Sequence, residues 1–144
     1  MLLDLEPSVV YINIGTNDIK SFEEDKGWMD HLLSNYDKIL NIIKEKLPQT
    51  KVYVMAYYPS NANLPEQDEK TRAWVRTRSE DIMSMVNHEV RKLAEKTGYK
   101  YIDVNAGLTD ENGDLKKEYT IEGIHMYAEA YRVVYENLKS LLAE

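Results

Sequence analysis

Two short segments, far apart along the chain, collect side chains suited to proton transfer and hydrogen bonding. One reads Gly15-Thr16-Asn17-Asp18 and the other reads Glu122-Gly123-Ile124-His125. An imidazole takes up and releases protons near neutral pH, a carboxylate can orient it, and an amide donates hydrogen bonds. Taken alone, Asn17 is typical of a turn at a strand end, and Glu122 of a helix N-terminus, where negative charge is favoured. The elements that surround both segments decide between these interpretations.

Those elements alternate between strand and helix. Three short runs rich in β-branched and aromatic residues predict strands over residues 9–14, 51–57 and 99–104. Apolar residues at helical spacing predict helices over residues 28–47, from residue 82 to an end at Gly98, and over residues 127–141. A β-α-β-α-β-α order predicts an α/β fold with a mostly parallel sheet. The first segment directly follows a predicted strand, which is where such sheets place their sites.

Composition narrows the possible functions. The chain has 144 residues, a formal charge of −7 and no cysteine. Its length predicts a single domain over residues 1–144, and the absence of cysteine excludes disulfides and thiolate nucleophiles. Its negative charge argues against nucleic acid as a partner. No metal-ligand spacing or glycine-rich phosphate loop occurs, so no metal or cofactor is expected.

The start of the chain bears on its location. Residues 1–6 are apolar and acidic and lack the basic segment of a signal peptide. No apolar stretch reaches the roughly 18 residues that a membrane-spanning helix needs. The sequence therefore predicts a cytoplasmic protein without stable membrane insertion.

The two segments together resemble blocks of the SGNH, or GDSL-type, serine esterase (lipase/acylhydrolase) family. The third block of that family reads Gly-x-Asn-Asp and its fifth reads Asp-x-x-His, and both follow here in family order. The resemblance covers essentially the whole chain, including the strand that closes on Tyr57-Tyr58-Pro59 and the turn-rich loop after Asp103. It implies a three-layer α/β/α flavodoxin-like fold and hydrolysis of a small-molecule carboxylic ester without a cofactor.

The resemblance also implies roles for single residues. His125 corresponds to the catalytic base, and Glu122 stands where the family has the Asp that orients it. Asn17 corresponds to an oxyanion-hole donor. Gly15 is expected to let the loop turn at the strand end, and Asp18 to brace that loop.

Departures from the family pattern concern the nucleophile, the residue that orients the base, and Tyr127 and Ala130, which replace the polar cap and the glycine expected just after the histidine. The chain contains no Gly-Asp-Ser, the nucleophile block, and none of its seven serines follows a strand in a tight turn before a helix. We therefore expect a C-terminal portion of the domain, with the nucleophile and further N-terminal strands lying upstream. Residues 2–7 accordingly resemble the last turn of a preceding helix. The second departure is Glu122, because its extra methylene moves the carboxylate by about one bond length, and sites tolerate only ~0.5 Å.

Two alternatives stay open. The chain could be a catalytically inactive truncated domain that acts as a binding or assembly module. Its exposed first strand would then pair with another copy in an oligomer, or with a complementing N-terminal segment. It could instead be a flavodoxin-like or receiver-type signalling domain, with a flavin or an acidic phosphorylation pocket near the first strand. Only Asp18 in the loop after Ile14 suits that second alternative.

A run of basic residues precedes the second predicted helix. It consists of Lys70, Arg72, Arg76 and Arg78 and is interspersed with acidic residues. Such a run could contact a phosphate, but the acidic neighbours favour a solvated helix face.

Overall fold

The computed structural model describes residues 2–143 and has the predicted α/β character. Three strands alternate with α-helices, and two short 3-10 helices lie in the loops. In chain order the elements are α1 (Leu2–Leu5), β1 (Val9–Ile12), a 3-10 helix (Thr16–Asp18), α2 (Trp28–Lys46), β2 (Lys51–Met55), α3 (Glu69–Arg76), α4 (Glu80–Thr97), β3 (Lys100–Ile102), a second 3-10 helix (Lys117–Tyr119) and α5 (Ala128–Ala143). The predicted strand and helix order is thereby confirmed, with α3 as an additional helix.

The three strands form one parallel sheet, as predicted, and their order across the sheet is β1-β2-β3. Each strand is shorter than its apolar run, and β1 ends at Ile12. After Ile12 the regular hydrogen bonds between the β1 and β2 backbones stop, and a side chain makes the next link between the strands. The Asn13 amide donates to the Ala56 carbonyl at 2.9 Å. The Ala56 N–H in turn donates to the Ile102 carbonyl at 2.9 Å. The strand ends are therefore tied together even where regular pairing stops.

Strand β1 lies at an edge of this sheet and, among residues 2–143, pairs only with β2. Its burial alternates, with Val10 and Ile12 buried and Val9 and Tyr11 largely exposed. A run that is apolar at nearly every position predicts a strand buried on both faces, and this prediction is wrong for β1, because the face with Val9 and Tyr11 is largely exposed. The Tyr11 ring instead stacks on Tyr53, its register partner, with 5.2 Å between ring centroids.

The chain divides into two compact units, and the sheet belongs to the first. That unit comprises Met1–Ala56 and Val86–Ile102, and the second comprises Tyr57–Met85 and Asp103–Glu144. The prediction of a single domain over residues 1–144 is not tested by this division and stays a prediction.

Helix α2 supplies much of the core of the first unit. Its buried side chains recur every three or four residues and so form one apolar face: Trp28, Leu32, Tyr36, Leu40 and Ile43. The hydroxyl of Tyr36 lies 3.5 Å from the Ile12 carbonyl of β1, and burial raises the pKa of this phenol above its usual value. Across residues 2–143, none of the helices is both long enough and apolar enough to cross a bilayer.

In the second unit, amide side chains hold loop backbone in place. The Asn137 amide donates to the carbonyls of Val104 at 2.9 Å and Ala106 at 2.8 Å. Asn105 likewise donates to the Tyr57 carbonyl at 2.8 Å. Because loop carbonyls have no strand or helix partner, such donors take the place of regular secondary structure.

We expect Leu40→Ala to lower the free energy of unfolding by about 2–5 kcal/mol, because it leaves a cavity in a closely packed core. Leu40 is fully buried, whereas Ile42 on the same helix is 48% exposed. The matched control Ile42→Ala should therefore cost less than ~1 kcal/mol. Urea unfolding followed by circular dichroism measures both values, and equal losses would contradict this assignment of the α2 core face.

Candidate functional site

Glu122 and His125 form a close pair in the loop between the second 3-10 helix and α5. The Nδ1 atom of His125 lies 2.6 Å from Oε1 of Glu122, and the same oxygen accepts the His125 backbone N–H at 3.2 Å. Since a carboxylate oxygen accepts, Nδ1 carries the hydrogen, and in the neutral form of the ring Nε2 then has the lone pair. The glutamate thus reaches the imidazole in spite of its extra methylene.

The pair combines one sheltered member and one accessible member. The Glu122 side chain is 25% exposed, whereas the His125 side chain is 68% exposed. The acid is therefore mostly shielded from solvent, while the imidazole is open to a reacting group.

Thr120 closes the loop that carries the pair. Its hydroxyl accepts the Gly123 N–H at 2.8 Å and donates to the His125 carbonyl at 2.9 Å. The Ile121 N–H reaches the same carbonyl at 2.9 Å. The chain therefore folds back on itself between residues 120 and 126, which brings the side chains of Glu122 and His125 within contact distance.

Gly123 permits a close backbone approach at the centre of this loop. Its φ is +110°, and a Cβ placed there would lie 2.2 Å from the Asn61 carbonyl oxygen and 2.6 Å from Nε2 of Gln67. The Asn61 N–H donates to the Gly123 carbonyl at 2.8 Å. Only glycine tolerates both this conformation and this proximity.

Gln67 contacts the same loop from a buried position. Its Nε2 donates to the carbonyls of Asn61 at 2.8 Å and Glu122 at 2.7 Å. The residue stands directly before Asp68, the N-cap of α3, whose carboxylate accepts the Thr71 N–H at 2.7 Å.

Trp74 of α3 lies beside the imidazole. The centroids of the Trp74 and His125 rings are 6.2 Å apart, and the Arg78 guanidinium carbon lies 4.9 Å from the indole centroid. Arg78 is 3% exposed and donates to the Trp74 carbonyl at 3.2 Å. The interpretation of the basic run as a solvated face is therefore wrong at Arg78, because the chain turns between α3 and α4 and folds this side chain against Trp74.

Burial lowers the pKa of the Arg78 guanidinium below its usual value. An arginine nevertheless stays charged under ordinary conditions, so it holds the indole by a cation–π contact.

A cavity of about 430 Å³ adjoins the loop and belongs to the second unit. Its volume is within the range of small-molecule sites. Its wall is partly apolar and partly polar and includes Leu64, Gln67, Lys117, Ile121, Glu122 and Tyr127. At its edge, Lys117 and Glu66 form an ion pair at 3.5 Å.

The other predicted site residues belong to the first unit. Asn17 and Asp18 are exposed on the 3-10 helix that follows Gly15. Gly15 adopts a left-handed conformation with φ of 97°, and its carbonyl accepts the Asp18 N–H at 2.9 Å. The chain thus turns tightly at Gly15, while the role of Asn17 as an oxyanion donor and that of Asp18 as a brace of the loop stay predictions. Within the described part of the chain, no group of three or more acidic or histidine side chains is placed to hold a metal.

Three residues of this site escaped the sequence analysis, namely Asn61, Gln67 and Trp74. Asn61 and Gln67 act through contacts with residues more than fifty positions away, which leave no local pattern. Trp74 and Arg78 are four residues apart, a spacing that would place them on the same side of a helix. That spacing alone does not show whether the arginine packs on the indole or points into solvent.

We expect Gly123→Ala to destabilise the protein more than Gly98→Ala does. Both glycines have positive φ, but a Cβ at Gly98 would meet nothing within 4 Å. Gly98→Ala should therefore lower the free energy of unfolding only by the cost of holding an alanine in a left-handed conformation, about 1–2 kcal/mol. Gly123→Ala adds the clash with Asn61, worth a further ~1–3 kcal/mol. Urea unfolding compares the two, and equal losses would contradict the close approach.

Several solved structures share this fold. A Streptococcus pneumonia protein, provisionally described as a platelet activating factor, matches with a TM-score of 0.76 and 26% identity, over 94% of this chain and 59% of that one. A GDSL-like lipase from Bacteroides thetaiotaomicron VPI-5482 matches with a TM-score of 0.70 and 22% identity, over 99% and 65% of the two chains. A variant of an acetyl-xylooligosaccharide esterase from Geobacillus Stearmophilus has a TM-score of 0.62 and 19% identity, over 96% and 61%.

The chain thus spans about three fifths of the length of these structures. Their shared fold confirms the predicted flavodoxin-like α/β class. No curated protein sequence matches the chain. The sequence itself matches the family described as GDSL-like Lipase/Acylhydrolase over residues 1–133, which is most of its length. The chain therefore belongs to the GDSL-like lipase/acylhydrolase family.

Proposed function

We propose that this chain carries the histidine–acid pair and an oxyanion donor of a carboxylic ester hydrolase. The observation that carries the proposal is the 2.6 Å contact between Nδ1 of His125 and Glu122. It leaves Nε2 of an exposed imidazole as a proton acceptor, the arrangement that serine hydrolases use. Membership of the lipase/acylhydrolase family supports the same conclusion.

The proposed mechanism assigns one role to each residue. A serine hydroxyl attacks the ester carbonyl carbon while Nε2 of His125 takes its proton, and the protonated imidazole then passes that proton to the leaving alcohol. Glu122 accepts the hydrogen bond from Nδ1 and stabilises the imidazolium. The Asn17 amide donates to the oxyanion. Water activated by His125 then cleaves the acyl-enzyme and restores the serine.

The serine in this mechanism comes from outside the chain. The sequence contains no Gly-Asp-Ser, and we propose that a complementing N-terminal segment supplies it. The substrate is a small-molecule carboxylic ester. An acetyl ester is the first choice for an assay, because one of the similar structures is described as an acetyl-xylooligosaccharide esterase and because the adjoining cavity has a volume of only about 430 Å³.

A second candidate function is a catalytically inactive assembly module, and the exposed edge of β1 favours it. An apolar groove of about 440 Å³ runs beside that strand, lined by Leu2, Leu3, Tyr11, Ile14, Ile39 and Ile42 among others. A parallel strand added there would satisfy the unpaired backbone groups of β1. This candidate predicts binding of the complementing segment without hydrolysis.

An ester assay separates the candidates. The purified chain is incubated with p-nitrophenyl acetate and with a serine-reactive phosphonate, first alone and then with a segment that carries Gly-Asp-Ser. We expect hydrolysis and labelling only in the mixture. Binding of the segment without hydrolysis would favour the assembly module. Hydrolysis by the chain alone, with labelling of one of its own serines, would contradict an external nucleophile.

In the complemented enzyme we expect His125→Ala to lower kcat by about 10²–10⁴-fold, because the general base is lost. The matched control is His88→Ala, since the His88 side chain is similarly exposed at 65% and lies on α4. It should leave kcat unchanged. Steady-state hydrolysis of p-nitrophenyl acetate measures both, and equal activity of the two variants would remove His125 from the mechanism.

We expect Asn17→Ala to lower kcat by about 10²–10³-fold, the usual effect of removing one oxyanion donor. Asn41→Ala on α2 is the control, because the amide of this exposed asparagine donates within its own helix, to the Asp37 carbonyl at 2.8 Å. Near-normal turnover of Asn17→Ala would show that Asn17 is a turn residue without a catalytic part.

A further inference from the structure

The Glu122–His125 pair lies on a loop, and a side chain from another segment holds the backbone of that loop. We propose that Gln67 is a positioning residue for the pair, an inference that rests on the proposed function for its catalytic meaning. Gln67 touches the Glu122 carbonyl and not the reacting atoms. Its effect on chemistry would therefore be exerted through the direction of the Glu122 carboxylate and hence through the His125 imidazole.

Both donors of the Gln67 amide are in use. One N–H reaches the Asn61 carbonyl at 2.8 Å and the other reaches the Glu122 carbonyl at 2.7 Å. A flipped amide would set Oε1 against two carbonyl oxygens, so the orientation of the group is fixed. Gln67 therefore joins the backbone of Asn61 to that of Glu122, on either side of the close approach at Gly123.

The base of this connection is itself anchored. Gln67 is 9% exposed, and its carbonyl accepts a hydrogen bond from the Arg72 guanidinium at 3.3 Å. Asp68, the next residue, caps α3. Trp74 of the same helix lies beside the His125 ring, with 6.2 Å between ring centroids. The segment formed by Gln67 and helix α3 thus contacts both members of the pair. Gln67 bonds the Glu122 backbone, and Trp74 lies against the His125 ring.

A purely stabilising role does not account for the choice of glutamine. Its Oε1 is buried and has no hydrogen-bond partner among the described residues, and an unsatisfied buried acceptor lowers stability. An amide is needed here only if its two donors must reach two particular carbonyls. The contact therefore serves the geometry of the loop.

The chain offers a matched control for amide donation in general. Asn137 is half-buried in the same unit, and its amide also donates to two backbone carbonyls, at 2.9 and 2.8 Å. Neither carbonyl belongs to the Glu122–His125 loop. A second control is Gln49, the other glutamine of the sequence, which is exposed.

The test uses the tautomer of His125 in the full ¹⁵N-labelled chain. Long-range ¹H–¹⁵N correlation spectra at alkaline pH, where a free imidazole is neutral, distinguish a ring protonated at Nδ1 from one protonated at Nε2. We expect His125 to be mainly in the Nδ1–H form, because Glu122 accepts that hydrogen. His31 and His88, the other two histidines, serve as internal references.

In Gln67→Met, which keeps the length of the side chain but cannot donate, we expect the Nδ1–H form of His125 to become the minor one. Gln67→Asn keeps the amide but shortens the side chain by one methylene. It should lower the fraction of the Nδ1–H form of His125 in the same way. The signals of His31 and His88 should not change in either variant. Asn137→Leu and Gln49→Met should leave His125 as it is in the parent chain.

Three results would overturn the proposal. The first is a folded Gln67→Met chain in which His125 keeps the Nδ1–H form. The second is an equal loss of the Nδ1–H form of His125 in Asn137→Leu. Unfolding of both Gln67 variants under conditions where Asn137→Leu stays folded would assign Gln67 to stability alone. The spectra need no catalysis, so an inactive enzyme in the ester assay, with the tautomer still dependent on Gln67, would contradict only the proposed function.

Discussion

The geometry of the candidate site depends on one close backbone approach, that of Gly123 to the Asn61 carbonyl. A Cβ at position 123 would lie 2.2 Å from that oxygen, a distance that no side chain tolerates. The approach lets the Asn61 N–H bond the Gly123 carbonyl and lets Gln67 reach the neighbouring Glu122 carbonyl. Without a glycine here, the loop would move away and the bonds from Asn61 and Gln67 would be lost.

The loop is held by many modest interactions instead of a regular element. Each neutral hydrogen bond contributes only about 0.5–1.5 kcal/mol net, but those of Thr120, Asn61 and Gln67 act on the same few residues. They keep Glu122 mostly sheltered, where its contact with the imidazole is stronger than in bulk water. His125 stays accessible because the restraints act on the backbone and on Nδ1, and they leave the outer side of the ring uncovered.

The alternation of strands and helices and the parallel sheet could be predicted from the sequence, because both follow from local patterns. The three-residue spacing of Glu122 and His125 likewise made a short-range contact between them a hypothesis. The sequence could not predict that Arg78 is buried, since the break between α3 and α4 redirects a side chain that composition assigns to solvent. It also could not reveal Gln67, which bonds a carbonyl 55 residues away. Every residue type has a backbone carbonyl that can accept a hydrogen bond. Such a contact therefore imposes no residue preference at the accepting position that could be recognised in the sequence.

The two tryptophans of the chain fall into different compact units and different surroundings. Trp28 is 2% exposed in the first unit and packs near the Phe22 ring, whereas Trp74 is 38% exposed in the second and faces an imidazole. A buried indole emits at shorter wavelength than a hydrated one, and an adjacent imidazole quenches emission. We therefore expect the native fluorescence to contain two components, which would allow loosening of the sheet and rearrangement near the histidine to be followed in one unlabelled sample.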